Sequence, residues 1–457
     1  MYLAENRVLR IIVLCALYVA QGLPFGFVTV ALAAYLSREG LDAEAIGYLL
    51  ALVTLPWSFK WVWGPMIDRF TIRSMGKRRP WILLAQSLMA VTIGLMLAIP
   101  DLTGSVRLLG ALIVVHNIFG SLQDVSVDAL AVDLLTEAER GRANGLMYGS
   151  SYFGTFLGGA GLGWILANYG LAAALMTQVS LLLLIMLLPL LTLERKGDSI
   201  WPWTSRRESQ ESETSLPERA ESASQPNQAL PSILPSRPID SVFWNLIRAF
   251  MVRSTLVAGI LAISTRLGTG VLTAVGVDFY IKELNWTQQQ YTSIQGGIGV
   301  FAGLTGSVLG GFLADKVGHK RLAAIASALI GCLWIGFALA ESYWRNSFDV
   351  NVFSTQISID PVSVMLVLQE FLTAVFSVAL FAVFMTVSWP KVAATQFTAY
   401  MALMNLSTTI GSAAAGWMSN SLSVPYIFSV AGLIQFAMIA IIALVNPKQT
   451  REVLGEG

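Results

Sequence analysis

Gly310-Gly311-Phe312-Leu313-Ala314-Asp315-Lys316-Val317-Gly318-His319-Lys320-Arg321 closes one apolar run and opens the next. An earlier stretch, Trp63-Gly64-Pro65-Met66-Ile67-Asp68-Arg69 followed by Gly76-Lys77-Arg78-Arg79, does the same. Each reads Gly-x-x-x-Asp-basic, then a Gly-led basic cluster, between two long apolar segments. Glycine permits close helix approach, and aspartate caps or pairs at a helix end. The basic residues hold the turn on the cytoplasmic side of a bilayer. The repeat marks a duplicated polytopic membrane protein.

Composition agrees. The chain has 457 residues, 55% of them apolar and only 12% charged, where soluble domains carry about 25% charged residues. A net charge of +1 argues against nucleic acid as a partner. Cys15 and Cys332 both lie in apolar runs, far apart, and read as packing residues. The run after Arg7 and Arg10 continues to about Leu36, too long for a signal peptide's apolar region. It reads as an uncleaved first span.

A spanning helix needs about 20 mostly apolar residues. Twelve segments qualify: 11–36, 45–67, 80–99, 107–134, 143–167, 171–193, 254–281, 288–314, 320–340, 361–388, 396–420 and 424–446. Numbered in that order as spans 1 to 12, they predict an all-α membrane protein. Of the 29 Lys and Arg, 23 fall in the termini and in the loops on their side of the membrane, and 4 (Arg38, Arg107, Lys282 and Arg345) fall opposite. Both termini are therefore expected in the cytoplasm. The expected division is 1–193, a first six-helix bundle; 194–253, a central cytoplasmic loop; and 254–457, a second bundle. Residues 204–238 are rich in Ser, Glu, Gln and Pro and read as a tether. Beyond them Val242, Phe243, Leu246, Ile247, Phe250 and Met251 share one helical face. They fit a short interfacial helix or the start of span 7.

Six plus six spans, a parallel duplication and a long central loop resemble the plan of the major facilitator superfamily. The two Gly-x-x-x-Asp-basic turns resemble its signature between spans 2–3 and 8–9. The second copy is close to complete, and the first departs at Pro65 and in the residues before Gly76. The resemblance implies alternating-access transport between two rocking bundles. It also implies a gating role for Gly64, Asp68, Arg69, Gly311, Asp315 and Lys316.

Ionisable side chains within spans are costly and mark function by default. At ~1.5 Å per residue, Lys60 lies about 12 Å in from Asp68, Asp124 about 16 Å from Leu135, and Asp128 about 10 Å. Asp124 and Asp128 are four residues apart on one helix face. Lys60 is expected to pair with one of them, for coupling or simply to fix packing. Arg266 is about 18 Å into span 7 and Glu370 about 15 Å into span 10. The resemblance puts spans 1, 4, 7 and 10 around the central cavity. Arg266 would then hold an anionic group and Glu370 a proton, or the two would pair with each other. Gln21, before Gly22-Leu23-Pro24 in span 1, and Gln123 in span 4 are further cavity candidates, with Asn117 and His116 near. Glycine-rich stretches in spans 5 and 8 suit close crossing, within one bundle or between the two.

Gln21-Gly22-Leu23-Pro24, Phe59-Lys60-x-x-Trp63-Gly64-Pro65, Lys77-Arg78-Arg79-x-Trp81, Ser121-x-Gln123-Asp124-x-x-x-Asp128-Ala129-x-x-x-Asp133, Glu139-Arg140-Gly141 and Ala394-Thr395-Gln396-Phe397 together resemble the AmpG-type muropeptide permeases. The Gln-Asp-x-x-x-Asp element is shared with the related acetyl-coenzyme A transporters. This resemblance implies proton-driven import of anhydro-muropeptides across a bacterial inner membrane by a monomer that needs no cofactor or metal. Where the permeases carry Lys-Leu-Gly-Asp in span 7, this chain has Arg266-Leu267-Gly268-Thr269, keeping the base and losing the acid. A siderophore or a coenzyme A ester is the alternative cargo. A membrane enzyme is disfavoured by two His and no His-Glu-x-x-His. A transporter-like sensor signalling through the central loop is the other rival.

Overall fold

The computed structural model describes residues 1–70, 72, 74–135, 137–201, 239–352 and 355–455. Ten helical stretches in it are long and apolar enough to cross a bilayer. One of them, Gly145–Leu191, has 47 residues, about 70 Å of helix against a hydrocarbon core of about 30 Å. It turns at Gly170, whose φ of 83° only glycine adopts freely, and so supplies two crossings. The helix Ala393–Ser421 is as long as its neighbours but more polar. With it the chain makes twelve spans in two six-helix halves.

The observed spans are Arg7–Arg38, Ala43–Arg69, Arg79–Met96, Val106–Leu134, residues 137–169 and 171–191, Arg253–Glu283, Gln288–Val317, His319–Leu339, Pro361–Val387, Ala393–Ser421 and Val424–Leu444. Several are not uniform helices. Span 2 is α-helical to Thr54, tightens to a 3₁₀ helix over Pro56–Val62, and resumes over Trp63–Arg69. Proline has no N–H to give and crowds the preceding turn, so the α ladder breaks there. Span 7 breaks at Arg266 (φ −110°, ψ 9°) between Arg253–Ser264 and Leu267–Asp278. Wide π turns interrupt span 1 at Phe27–Leu32, span 5 at Leu157–Gly161, span 7 at Phe279–Glu283 and span 8 at Ile294–Ile298.

One element differs from expectation. A two-stranded antiparallel hairpin, Phe348–Val352 with Thr355–Ile359, lies between spans 9 and 10, so the all-helical plan holds for the membrane part only. The helix Ile239–Met251 is separate from span 7, because Val252 is extended between them. On it Ala249 is buried, while Trp244 and Met251 are exposed. The proposed tether, 204–238, lies outside the described residues, as do the side chains of Val242 and Phe243.

The glycine-rich stretches serve both kinds of crossing. A Cβ at Gly22 would collide with the Ser151 carbonyl, and one at Gly158 with the Leu23 carbonyl, so spans 1 and 5 meet backbone to backbone within the first half. Between the halves, a Cβ on Gly159 of span 5 would stand 2.9 Å from Gly296 Cα of span 8.

The clash at Gly158 gives the fold's own test. Gly158→Val should destabilise the purified protein by about 1–3 kcal/mol through overpacking, read as a lowered melting midpoint in detergent. An unchanged melt would show that spans 1 and 5 do not cross this closely.

Candidate functional site

The 3₁₀ segment of span 2 builds one side of the site. A 3₁₀ helix repeats every three residues, so side chains at i and i+3 eclipse. Trp57, Lys60 and Trp63 accordingly line up on one face. Each meets a polar residue of span 4, where 117, 121 and 124 follow the α-helical spacing. Trp57 Nε1 donates to Asn117 Oδ1 at 3.0 Å, and Trp63 Nε1 to Ser121 Oγ at 2.9 Å. Lys60 Nζ stands 2.9 Å from Asp124 Oδ2, with its ammonium 5.9 Å from the Trp57 ring centroid. Of the two acids within reach, the lysine takes Asp124. Asp128, one turn nearer the membrane surface, instead accepts a 2.5 Å hydrogen bond from the Tyr18 hydroxyl of span 1.

The second half contributes Arg266 at the break of span 7. Its backbone N–H, freed by the break, donates to Ser407 Oγ of span 11 at 3.0 Å. Among the described residues its guanidinium has neither a hydrogen-bond nor an ion-pair partner, and Nε is buried. Glu370 accepts from Gln295 Nε2 of span 8 at 2.8 Å. The mutual Arg266–Glu370 salt bridge left open by the sequence is not formed: no such pair lies within 4.0 Å among the described residues. A half-buried guanidinium within a span and without an anion is a charge in need of a ligand.

The other sequence candidates fall in several places. Gln21 is buried with Nε2 unpartnered. Gln123 is fully enclosed and gives Nε2 to Gln86 Oε1 at 3.4 Å, while Gln86 bonds the Leu182 carbonyl. It braces spans 3, 4 and 6 and is turned away from the second half. His116 is buried against Thr92 and the Met89 carbonyl.

In the first turn, Asp68 pairs with Arg78 at 2.7 Å and Lys77 at 3.6 Å, and Arg78 Nε bonds Asp133 at 2.8 Å. Glu194, past the end of span 6, accepts from the N–H groups of Lys77, Arg78 and Arg79 at 2.5–2.9 Å. It caps span 3 with a charge of the favourable sign. Arg69 lies over the Phe70 ring. In the second turn, Asp315 and Lys316 are exposed, and among the described residues Asp315 has no ion-pair partner. The expected close helix approach at Gly64 and Gly311 is not made: a Cβ at either would meet nothing within 4 Å. Tyr18, Gln295 and Glu194 escaped the sequence reading. Tyr18 sits in an apolar run, Gln295 among glycines, and Glu194 just past a span.

The halves join at the end opposite the termini. Ser37 Oγ donates to Asp278 Oδ1 at 3.1 Å, Lys282 Nζ reaches the Leu41 carbonyl at 2.6 Å, and Asn420 Nδ2 reaches Glu44 at 3.1 Å. Lys282 also pairs with Asp278 at 2.6 Å within its own half. Nearer the middle, Thr54 meets Thr409 at 2.8 Å, Asn405 meets the Trp57 carbonyl at 3.4 Å, and Tyr152 meets Ser307 at 3.3 Å. Among the described residues, the hydrogen bonds across the halves run from that far end to the middle. Toward the terminal end, none of the described residues hydrogen-bonds one half to the other.

Two six-span halves bonded to each other at the far end and the middle, with an unpaired arginine at mid-span, have the plan of a membrane transporter. The chain belongs to the Major Facilitator Superfamily, whose family model matches residues 14–353 and 258–456. It is 25% identical over 454 residues to the anhydromuropeptide permease of Escherichia coli (strain K12), covering 97% of this chain and 80% of that protein. A putative transporter AmpG 1 of Rickettsia bellii is 27% identical over 131 residues, 28% of this chain and 32% of its own. In fold the chain is similar to the D-xylose-proton symporter (TM-score 0.65, 16% identity, 96% of this chain and 99% of that one). It is also similar to the nucleoside transporter NupG (TM-score 0.64, 13% identity, 95% and 100%).

Two outcomes follow from the geometry. Lys60→Ala leaves Asp124 buried and unpaired and should cost about 3 kcal/mol or more. Lys60→Ala with Asp124→Ala should recover most of that stability in a detergent melt; a double variant no more stable than the single would show that the pair is not the cause. At the far end, Lys282→Ala removes the bond to Leu41. It should raise several-fold the alkylation of a cysteine placed at Thr54 in a Cys15- and Cys332-free background, by a reagent applied from that end. An unaltered rate would exclude Lys282 from the closure.

Proposed function

We propose that this chain is a proton-coupled importer of anhydro-muropeptides, working by alternating access in a bacterial inner membrane with both termini cytoplasmic. The observation that carries the reading is the unpaired Arg266 guanidinium at the break of span 7. It lies in a chain related along nearly its whole length to an anhydromuropeptide permease. Arg266 binds a carboxylate of the solute through charge-assisted hydrogen bonds. A break at mid-span also turns a helix N-terminus, with its positive dipole, toward that level. Glu370, whose Oε1 accepts from Gln295, takes up a proton on the same side. Asp68 and Asp315, with Gly64, Arg69, Gly311 and Lys316, govern the gate, and the difference between the two turns supports this. One is knitted into its half by ion pairs, and the other is exposed. The protein acts as a monomer, with 1–193 and 254–457 as the moving bodies and the segment between as a cytoplasmic tether.

The test is uptake of labelled N-acetylglucosaminyl-anhydro-N-acetylmuramic acid into proteoliposomes, with and without an inward proton gradient. The expected result is gradient-driven accumulation, cut tenfold or more by Arg266→Gln, which corresponds to about 1.4 kcal/mol of lost binding. Loss of accumulation in Glu370→Gln supports its role, and full accumulation removes it. No uptake by folded protein would overturn the muropeptide reading and move the search to siderophores and coenzyme A esters. Those are the cargoes left open by Thr269 standing where the permeases carry an acid.

A further inference from the structure

The Lys60 cluster holds one base and two acids, and its hydrogen bonds divide them unevenly. Lys60 is 2.9 Å from Asp124, so that pair is electrically closed. Asp128 is left with a neutral partner, the Tyr18 hydroxyl at 2.5 Å. The titratable groups facing it are Tyr18 from span 1, Lys60 from span 2, Asp124 from its own span 4, and Tyr148 from span 5. Span 3, which also packs against span 4, carries Arg79, whose guanidinium is turned to the Pro189 and Leu190 carbonyls. The Tyr148 ring stands edge-on to Tyr18 at 6.1 Å. Among the described residues none supplies a second positive charge. With both carboxylates ionised the cluster carries a surplus negative charge inside the membrane, which is costly. A proton on Asp128 removes the surplus.

Asp124 is buried against Lys60, whereas Asp128 is exposed, toward the end where none of the described residues hydrogen-bonds one half to the other. It lies six residues from the end of its span at Leu134, about 9 Å. Water therefore reaches Asp128 more readily than its neighbour.

We infer that Asp128 is a second proton-binding site, in the half opposite Glu370, which exchanges its proton with the terminal-end compartment. Tyr18 is its positioning residue, keeping the carboxyl oriented in both protonation states. Lys60 acts at one remove, by holding Asp124 so that it cannot share the charge of Asp128. The inference deepens the proton-coupled reading and rests on it for its meaning in transport. The titration itself does not depend on the cargo.

The test is a pH-difference infrared spectrum of the full-length protein in the carboxyl C=O stretching region, taken without substrate. Wild type should show a protonated-carboxyl band that fades as pH rises. Asp128→Asn should delete one component of it, and Glu370→Gln should leave that component in place. Asp128→Glu should keep a component at a shifted frequency, which separates loss of the group from misfolding. Tyr18→Phe should keep the component but move its midpoint, an effect that loss of packing alone would not produce. A spectrum that Asp128→Asn leaves whole, or a wild type with no titrating band, overturns the assignment. In proteoliposomes Asp128→Asn should also lower gradient-driven uptake at least tenfold. Failure of wild type to transport the muropeptide would sink the cargo assignment alone and leave the infrared result to stand or fall separately.

Discussion

A lysine carried into the membrane sets the terms for the first half of this transporter. Its charge must be met, and the acid that meets it stands on span 4, in line with two other polar residues. Pro56 makes this possible by breaking the α ladder. The tighter coil that follows places Trp57, Lys60 and Trp63 in one row, which an α-helix would splay around its axis. Two indole N–H groups and one ammonium then dock on span 4 as a unit. Local backbone geometry, buried charge and helix packing satisfy one another here.

The second half solves a related problem without closing it. The break at Arg266 frees a backbone donor, which Ser407 satisfies, but the guanidinium has no matching acid. The two halves thus differ in electrostatics: one neutralises its buried base and the other presents it. The turns between spans 2–3 and 8–9 show the same asymmetry. The first is fixed by Asp68, Arg78, Asp133 and Glu194, and the second lies exposed. With the far end joined through Ser37, Lys282 and Glu44, the molecule is caught in one of the states that such a carrier must visit.

Most of the membrane plan could be read from the sequence because lipid leaves few options. Twelve apolar runs have to be helices, and the distribution of Lys and Arg orders them. The near match in depth of Lys60 and Asp124 also emerged from spacing alone. What escaped depends on rotation about helix axes and not on depth. Spacing could not say that Lys60 would take Asp124 over Asp128, because that choice follows from the 3₁₀ coil after Pro56. It could not turn Gln123 inward to Gln86, or find Tyr18 in a run of apolar residues. The hairpin at Phe348–Val352 and Thr355–Ile359 was missed because a search for spans passes over short alternating stretches between them.

The π turns in spans 1 and 7 have a consequence for how these halves are related. The two spans are each the first of their half, and each carries its wide turn toward the far end. A π turn holds one residue more than an α turn, so everything beyond it is rotated by about 100° relative to an unbroken helix. Ser37 follows one such turn, and Lys282 lies within the other. The surplus residue in each half thus sets the angular register at which the two ends face each other. One extra residue in each span re-aims the mouth of the carrier while leaving the deeper faces of the same helices in place.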